Sequence, residues 1–419
     1  MMTLNKKKSI FAGLYGNTLE WFDFLLYANF TPLFAELFFP SKIYFVSLLL
    51  TFGVFAVGFF MRPLGGILLG HYADHIGRRK TLILSMSIMT FSTACIALIP
   101  GFNTLGITSP LLFVFFRLIQ GIAVGGELPG STTFLIEHMA DHRRGFAGSL
   151  VLSTAFLGIF LGSLTASFLS VLVADDILRD WGWRLAYLIG ALLGVIGIYL
   201  RVTSVEPSTF LHTKHTTELP VKIVFSAYRR KLLLAIIFTS IMAISNYLLI
   251  AYITSFLVKS EGFLLKDALV VNFIALFVLT VLIPFMGLLS DFFGRKPIFL
   301  FGAFGILIFI YPIFILFLSG TWWHVLAGEI LLAIMLAPLN ATVPTILAEM
   351  FPTAIRASGV SIGYNIGQAF FGGTIPVVAL TLVELTGNKY APAFYILFWA
   401  IIAIIATRYA QETYLNKLT

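Results

Sequence analysis

Apolar runs of the length a bilayer-spanning helix needs, about 20 residues, recur from one end of the chain to the other. Short clusters of glycine, proline and charge separate them. Read this way, the pattern predicts helices at 11–38, 43–70, 80–100, 109–138, 145–173, 183–203, 231–258, 266–290, 296–318, 321–350, 357–384 and 390–410. No stretch reads as a sizeable soluble domain. An even number of spans places both termini on the same side.

Composition agrees. Of 419 residues, 59% are hydrophobic and only 11% are charged, against about 25% charged in soluble domains. The segment Met1 to Lys8, followed by Ser9, lacks a small-residue cleavage site behind a short apolar core, so no removed signal peptide is expected. A single cysteine, Cys95, excludes an intrachain disulfide and suggests no metal cluster.

The net charge of +8 raises the question of nucleic acid, and its distribution answers it. Nineteen basic residues fall in the terminal segments and even-numbered loops, among them Lys6, Lys7, Lys8, Arg78, Arg79, Arg143, Arg144, Arg201, Arg229, Arg230 and Lys231. The odd-numbered loops hold six: Lys42, Arg179, Arg184, Lys259, Lys266 and Lys389. Such a bias orients a membrane protein with its basic loops in the cytoplasm. Both termini are therefore expected there, and nucleic-acid binding is not.

The longest polar interval, 204–230, divides an N-terminal bundle, 1–203, from a C-terminal one, 231–419. It contains Glu206-Pro207, His212, Lys214, His215 and Glu218. With no further Cys or His nearby, a solvated linker is expected rather than a metal site.

The two halves share their punctuation. Gly70-x-x-x-Asp74-x-x-Gly77-Arg78-Arg79 follows the second span, and Gly287-x-x-x-Asp291-x-x-Gly294-Arg295-Lys296 follows the eighth. Glu137 precedes Arg144 by seven residues after the fourth span, and Glu349 precedes Arg356 by seven after the tenth. Glycine permits the tight turn. The aspartate can cap a helix N-terminus and pair with a basic group of the next loop, Arg143 or Arg144 in the first half. A cluster of this kind holds one gate state and breaks for the other.

At these residues the chain resembles the major facilitator superfamily, whose loop signature occurs in both halves. Three further stretches resemble its metabolite:proton symporter branch, which includes proline/betaine, α-ketoglutarate, citrate and shikimate transporters. They are Gly16-Asn17-Thr18-Leu19-Glu20-Trp21-Phe22-Asp23-Phe24-Leu25-Leu26-Tyr27, Arg62-Pro63-Leu64-Gly65-Gly66, and Arg117-Leu118-Ile119-Gln120-Gly121-x-x-x-Gly125-Gly126-Glu127. The resemblance implies an all-α membrane protein of twelve transmembrane helices in two pseudo-symmetric six-helix bundles. It implies secondary transport in a bacterial inner membrane, with no cofactor. Osmosensing members of the branch carry a long C-terminal coiled coil that this sequence lacks, so osmotic activation is not expected.

A charge at mid-membrane costs roughly 2.5–3.5 kcal/mol on insertion scales, which makes each one a functional candidate. The first span holds two, Glu20 and Asp23. Asn17, Glu20 and Tyr27 continue one stripe of that helix, with Asp23 beside it. At about 1.5 Å per residue, Asp23 lies about 18 Å in from one side and Arg117 about 12 Å in from the other. In a core about 30 Å thick they meet at one level. Asp23 is expected to carry the proton, with Arg117 tuning it and answering to substrate, since a neighbouring arginine lowers a carboxylate pKa and burial raises it. A permanent Asp23–Arg117 ion pair is the alternative. Glu20 is the rival carrier, or a brace to a neighbouring helix.

The offset of 212 residues between Glu137 and Glu349 carries Arg117 onto Glu329, so a zwitterion's carboxylate would go to Arg117 and its ammonium to Glu329, unless Glu329 only bonds a neighbouring helix. Asn246, Tyr247, Asn272, Asn340, Asn365 and Gln368 are further lining candidates or interhelical bridges. Arg62 and Glu127 are assigned to gate ion pairs. Glycine at every fourth position, as in Gly121/Gly125 and Gly359/Gly363/Gly367, is read as close helix packing. Trp181, Trp183, Trp322 and Trp323 are read as interfacial anchors, with His324 beside them.

The expected function is proton-coupled import of a small polar metabolite by a monomer embedded in lipid. Proton-coupled export and a non-transporting receptor or channel are the alternatives. No nucleophile–base pair, metal cluster or phosphate loop suggests an enzyme. Few buried cations are visible, which favours an amino acid, betaine or monocarboxylate over a di- or tricarboxylate.

Overall fold

A computed structural model of the chain describes residues 4–211 and 218–418. His212, Lys214 and His215 thus lie outside the described residues. Twelve long helices account for the predicted runs: α1 (Leu4–Phe38), α2 (Tyr44–Ile76), α3 (Arg78–Leu98), α4 (Thr108–His138), α5 (Arg144–Leu172), α6 (Trp183–Val202), α7 (Arg229–Tyr247, continuing through Leu248–Tyr252 and Ile253–Glu261), α8 (Leu265–Phe293), α9 (Arg295–Leu318), α10 (Trp322–Met350), α11 (Arg356–Ile366, continuing through Gly367–Gly372 and Ile375–Thr386) and α12 (Ala391–Tyr409). No strand occurs among the described residues. Ten of these helices are long and apolar enough to cross a membrane by length and composition. α1 and α2 have 35 and 33 residues.

By their internal contacts the described residues form two compact units. The first comprises Met1–His138 and Thr154–Thr216, and the second Met139–Ser153 and Thr217–Thr419. The linear division expected from the sequence therefore misses one segment: residues 139–153, with the start of α5, pack with the C-terminal helices.

In the first unit, glycines set the helix spacing. A Cβ on Gly65 would lie 2.0 Å from the carbonyl oxygen of Ile122, and one on Gly125 2.2 Å from that of Arg62. α2 and α4 thus touch backbone to backbone, as the repeated glycines predicted. Trp183 is not an interfacial anchor. It is fully buried, packed edge-on against Phe34, Phe38 and Tyr187. Trp181 and Trp323 are exposed, as expected of anchors, and so is His324.

The two signature turns are built alike. Gly77 (φ 125°) and Gly294 (φ 100°) join α2 to α3 and α8 to α9 in a backbone conformation that side chains rarely adopt.

Two helices of the second unit leave the α-helical path. Leu248–Tyr252 and Gly367–Gly372 are π-helical, and such bulges gather at functional sites. The sequence pattern gave no sign of them. A Cβ on Gly372 would lie 2.8 Å from the Tyr247 ring, so the irregular stretch of α11 packs against the residue that precedes the one in α7.

Candidate functional site

In the first unit, α3 and α4 bring three polar side chains onto Asp23 of α1, which is buried. The Thr93 hydroxyl donates to its Oδ1 at 3.0 Å. Gln120 Nε2 donates to Oδ2 at 3.1 Å, and Arg117 Nη1 stands 3.5 Å from that same oxygen. Arg117 makes its shorter bonds elsewhere, to Gln120 Oε1 and to the Tyr187 hydroxyl, both at 2.9 Å. Its guanidinium carbon lies 4.0 Å from the centre of the Tyr27 ring, a cation–π contact. Asp23 and Arg117 thus meet at one level, as the depth estimate predicted.

Tyr27 was expected to line the substrate path. It is instead fully buried, its hydroxyl donating to the Thr51 carbonyl at 2.6 Å, and its ring is a floor for Arg117. Asn17 is buried too, donating to the Thr154 hydroxyl at 3.2 Å. Gln120, Thr93 and Tyr187 were not singled out from the sequence. Gln120 had a visible signal, since it lies one turn beyond Arg117 on α4.

Glu20 lies one turn from Asp23 and is buried, with Oε2 unpartnered among the described residues. Two cavities of about 30 Å³ each flank this stretch. One is lined by Glu20, Asp23 and Glu127, the other by Asp23, Arg62 and Arg117, and Asp23 lines both. A water molecule needs roughly 10–15 Å³ of such volume, so each has room for water.

Of the two residues assigned to gate ion pairs, Glu127 forms one and Arg62 rests on aromatic rings. Glu127 is held by Arg201, through Nη1 at 2.9 Å and also through Nη2, and by the Ser85 hydroxyl at 2.6 Å. Arg201 had been counted among the loop cations, but it is buried in the last turn of α6 and also donates to the Leu82 carbonyl at 2.6 Å. A Cβ on Gly16 would fall 1.8 Å from Arg201 Nη2, so the glycine of α1 makes room for the guanidinium. Arg62 stacks on rings, 4.3 Å from the centre of Phe59 and 5.5 Å from those of Trp21 and Phe24.

The repeated motif forms the same buried triad in each unit. Arg78 pairs with Asp74 at 2.8 Å and Glu137 at 3.2 Å, and Arg295 pairs with Asp291 at 2.7 Å and Glu349 at 3.1 Å. Arg144 was expected to serve Asp74. It lies in the second unit instead, 3.1 Å from Glu349. The capping role appears there as well: Asp291 accepts from the backbone N–H groups of Gly145 and Phe146, at 2.8 and 2.9 Å, at the start of α5. Arg356 ties the turn before α11, donating to the carbonyl of Ala348 at 2.8 Å and the hydroxyl of Thr353 at 2.8 Å.

A further repeated element escaped the sequence reading. Glu206 is a helix cap rather than a solvated linker residue, accepting from the backbone N–H groups of Arg78 and Arg79 at the start of α3. Glu412 does the same for Arg295 and Lys296 at the start of α9, at 2.9 Å each. Burial raises the Glu206 carboxyl above its ordinary value, and the two N–H bonds counter part of that rise.

In the second unit, Asn246 and Asn340 form a reciprocal amide pair, each donating to the other at 2.8 Å. Glu329 is fully buried; its Oε2 accepts from Asn272 at 3.1 Å and its Oε1 is unpartnered among the described residues. Asn272 also donates to the Leu249 carbonyl at 2.7 Å. Asn365 donates to the Ser361 carbonyl at 2.8 Å, and Gln368 Oε1 is buried without a partner among the described residues. Tyr247 is buried beside Asn246.

A membrane-embedded helical protein with a buried, multiply hydrogen-bonded carboxylate beside an arginine, and with one charge motif built twice, is of the secondary-transporter class. Comparison with known proteins agrees. The sequence profile of the Major Facilitator Superfamily matches residues 17–281, and that of Sugar (and other) transporters matches 208–419. The proline/betaine transporter of Escherichia coli K12 is 34% identical, over 97% of this chain and 84% of that protein. The alpha-ketoglutarate permease of the same strain is 35% identical, over 94% of this chain and 90% of its own length. Among solved structures, the proton:xylose symporter XylE superposes with a TM-score of 0.82 at 17% identity, covering 98% of this chain and 96% of that one, a likeness of fold. The chain belongs to the major facilitator superfamily, as a multi-pass membrane protein.

Proposed function

We propose that this protein imports a small polar metabolite (an amino acid, a betaine or a small carboxylate) together with a proton, by opening its site to one face of the inner membrane at a time. The observation that carries the reading is the Asp23 environment: a buried carboxylate held by Thr93 and Gln120, with Arg117 at the outer limit of an ion pair. An arginine engaged mainly by neutral partners is available to a substrate carboxylate. When it turns to the substrate, Asp23 loses what positive field it had and takes up the proton; when substrate leaves, the proton leaves with it. Protonation and occupancy rise and fall together, which is symport. The relatives named above transport proline, betaine or α-ketoglutarate, compatible with a carboxylate-bearing substrate.

Glu20, one turn away and facing the cavity that Asp23 shares, relays the proton between Asp23 and the α4–α6 charges. In the second unit, Asn246, Tyr247, Asn340, Asn365, Gln368 and Glu329 are the groups assigned to substrate, and the π-helical stretches beside Tyr247 and at Gln368 let α7 and α11 change shape there. The Asp74–Arg78–Glu137 and Asp291–Arg295–Glu349 triads, with Arg144 and Arg356, hold the signature turns and break as the protein switches. Both termini lie in the cytoplasm, the protein works as a monomer, and it has no enzymatic or nucleic-acid role.

Reconstitution into liposomes tests this. A gradient acid outside should drive accumulation of labelled proline, betaine or a monocarboxylate, and a protonophore should collapse it. Accumulation that is indifferent to the proton gradient would sink the reading.

A further inference from the structure

At the ends of α7, α10 and α12 in the second unit lies a cavity of about 620 Å³, bounded also by the C-terminal segment after Tyr409. Its walls carry Arg144, Arg230, Lys231 and Lys417 against one carboxylate among the described residues, Glu349. That carboxylate is already engaged by Arg144, by Arg295 at 3.1 Å and by the Thr413 hydroxyl at 2.5 Å. Lys231 donates to the Met350 carbonyl at 2.7 Å. Arg230 and Lys417 are exposed, and neither has an ion-pair partner among the described residues. The cavity therefore presents two positive charges with no ion-pair partner among the described residues, over a partly neutralised pair.

The rest of its lining mixes polar Gln411, Thr413 and Asn416 with apolar side chains. Leu234, Met350, Leu415 and Leu418 contribute, and Leu415 and Tyr409 at the rim are 78% and 77% exposed. A basic recess at helix ends with an apolar rim suits a ligand that is anionic at one end and greasy at the other. A soluble phosphate would use only the first feature, and the exposed leucine and tyrosine at the rim would then have no partner.

We propose that this recess binds the headgroup of an anionic phospholipid, its phosphodiester between Arg230 and Lys417 and its glycerol and first acyl carbons along Tyr409 and Leu415. The site lies on the face that the basic-residue bias assigns to the cytoplasm, and its occupancy depends on no transported substrate. Because one wall is the C-terminal segment that also binds Glu349 through Thr413, a bound lipid brings a fixed anion close to the charge cluster of the second unit.

The test uses the purified full chain, delipidated in neutral detergent and titrated with short-chain phosphatidylglycerol, phosphatidylcholine or sn-glycerol 3-phosphate. Thermal midpoint and native mass spectrometry are the readouts. Phosphatidylglycerol should raise the midpoint and appear as bound adducts, and the other two should not. At about 1 kcal/mol per surface cation, Arg230→Gln with Lys417→Gln should weaken phosphatidylglycerol by roughly tenfold or more. Arg230→Lys with Lys417→Arg should retain binding. Unchanged affinity in the double glutamine variant, or an equal response to phosphatidylcholine, would overturn the proposal. An equal response to glycerol phosphate would overturn it too, marking a soluble-phosphate site.

Discussion

Gln120 holds the Oδ2 oxygen of Asp23 at 3.1 Å, closer than Arg117 does at 3.5 Å. The amide is the hinge of this network, because its oxygen also accepts from Arg117 at 2.9 Å. It keeps the two charges near one another without letting them close into a tight pair. Tyr187 on α6 and the Tyr27 ring hold the guanidinium from the other sides.

Replacing that amide with Leu should let Arg117 close onto Asp23. Substrate would then have to break an ion pair rather than displace a neutral donor. A hydrogen bond to a charged group is worth about 1.5–3 kcal/mol, so Gln120→Leu should raise the KM for uptake about tenfold, with a smaller effect on kcat. Initial-rate uptake in proteoliposomes measures both. An unchanged KM would remove Gln120 from the role given it.

The buried Glu127–Arg201 pair makes a prediction with an unusual sign. Removing one partner leaves the other charge buried and uncompensated, at about 3–5 kcal/mol, whereas replacing both with apolar groups is often neutral or stabilising. Glu127→Gln should therefore lower the thermal midpoint in detergent far more than the double change Glu127→Leu with Arg201→Met. Equal losses would mean that the pair contributes net stability.

Much of the fold was legible because a bilayer forces it. With no water to satisfy the backbone, helices about as long as the bilayer is thick are the soluble-free solution, and each predicted span has its helix. The twin triads were legible because spacing repeats in sequence when structure repeats: Asp74 with Arg78 and Asp291 with Arg295 fall one helical turn apart in both copies. What was not legible was which helix faces which. Arg201 reads as one more flanking cation until α6 is packed against Gly16 of α1 and Ser85 of α3. Trp183 reads as an anchor until Phe34 and Tyr187 close over it. Glu206 and Glu412 repeat too, but as single acidic residues in polar segments with no motif around them. The π-helical stretches leave no mark in a hydrophobic pattern.

Glu206 should leave a signature in the pH dependence of stability. Its carboxyl is raised above the ordinary value by burial, so ionising it costs the folded protein more than the unfolded one. Its favourable contribution is therefore complete below the unfolded carboxylate value, about 4.3, and is lost as pH rises through the raised folded value. The thermal midpoint of the unmodified protein minus that of Glu206→Gln should be larger near about pH 4 than near about pH 8. A difference independent of pH would contradict the burial argument.

The most direct test of the coupling itself is Asp23→Asn, assayed two ways in the same proteoliposomes. Proton-driven accumulation requires the carboxylate to load and unload a proton, whereas exchange of labelled for unlabelled substrate requires only that the protein switch. The account predicts that Asp23→Asn abolishes accumulation down a proton gradient and retains exchange. Accumulation that persists in Asp23→Asn with its proton dependence unchanged would contradict it.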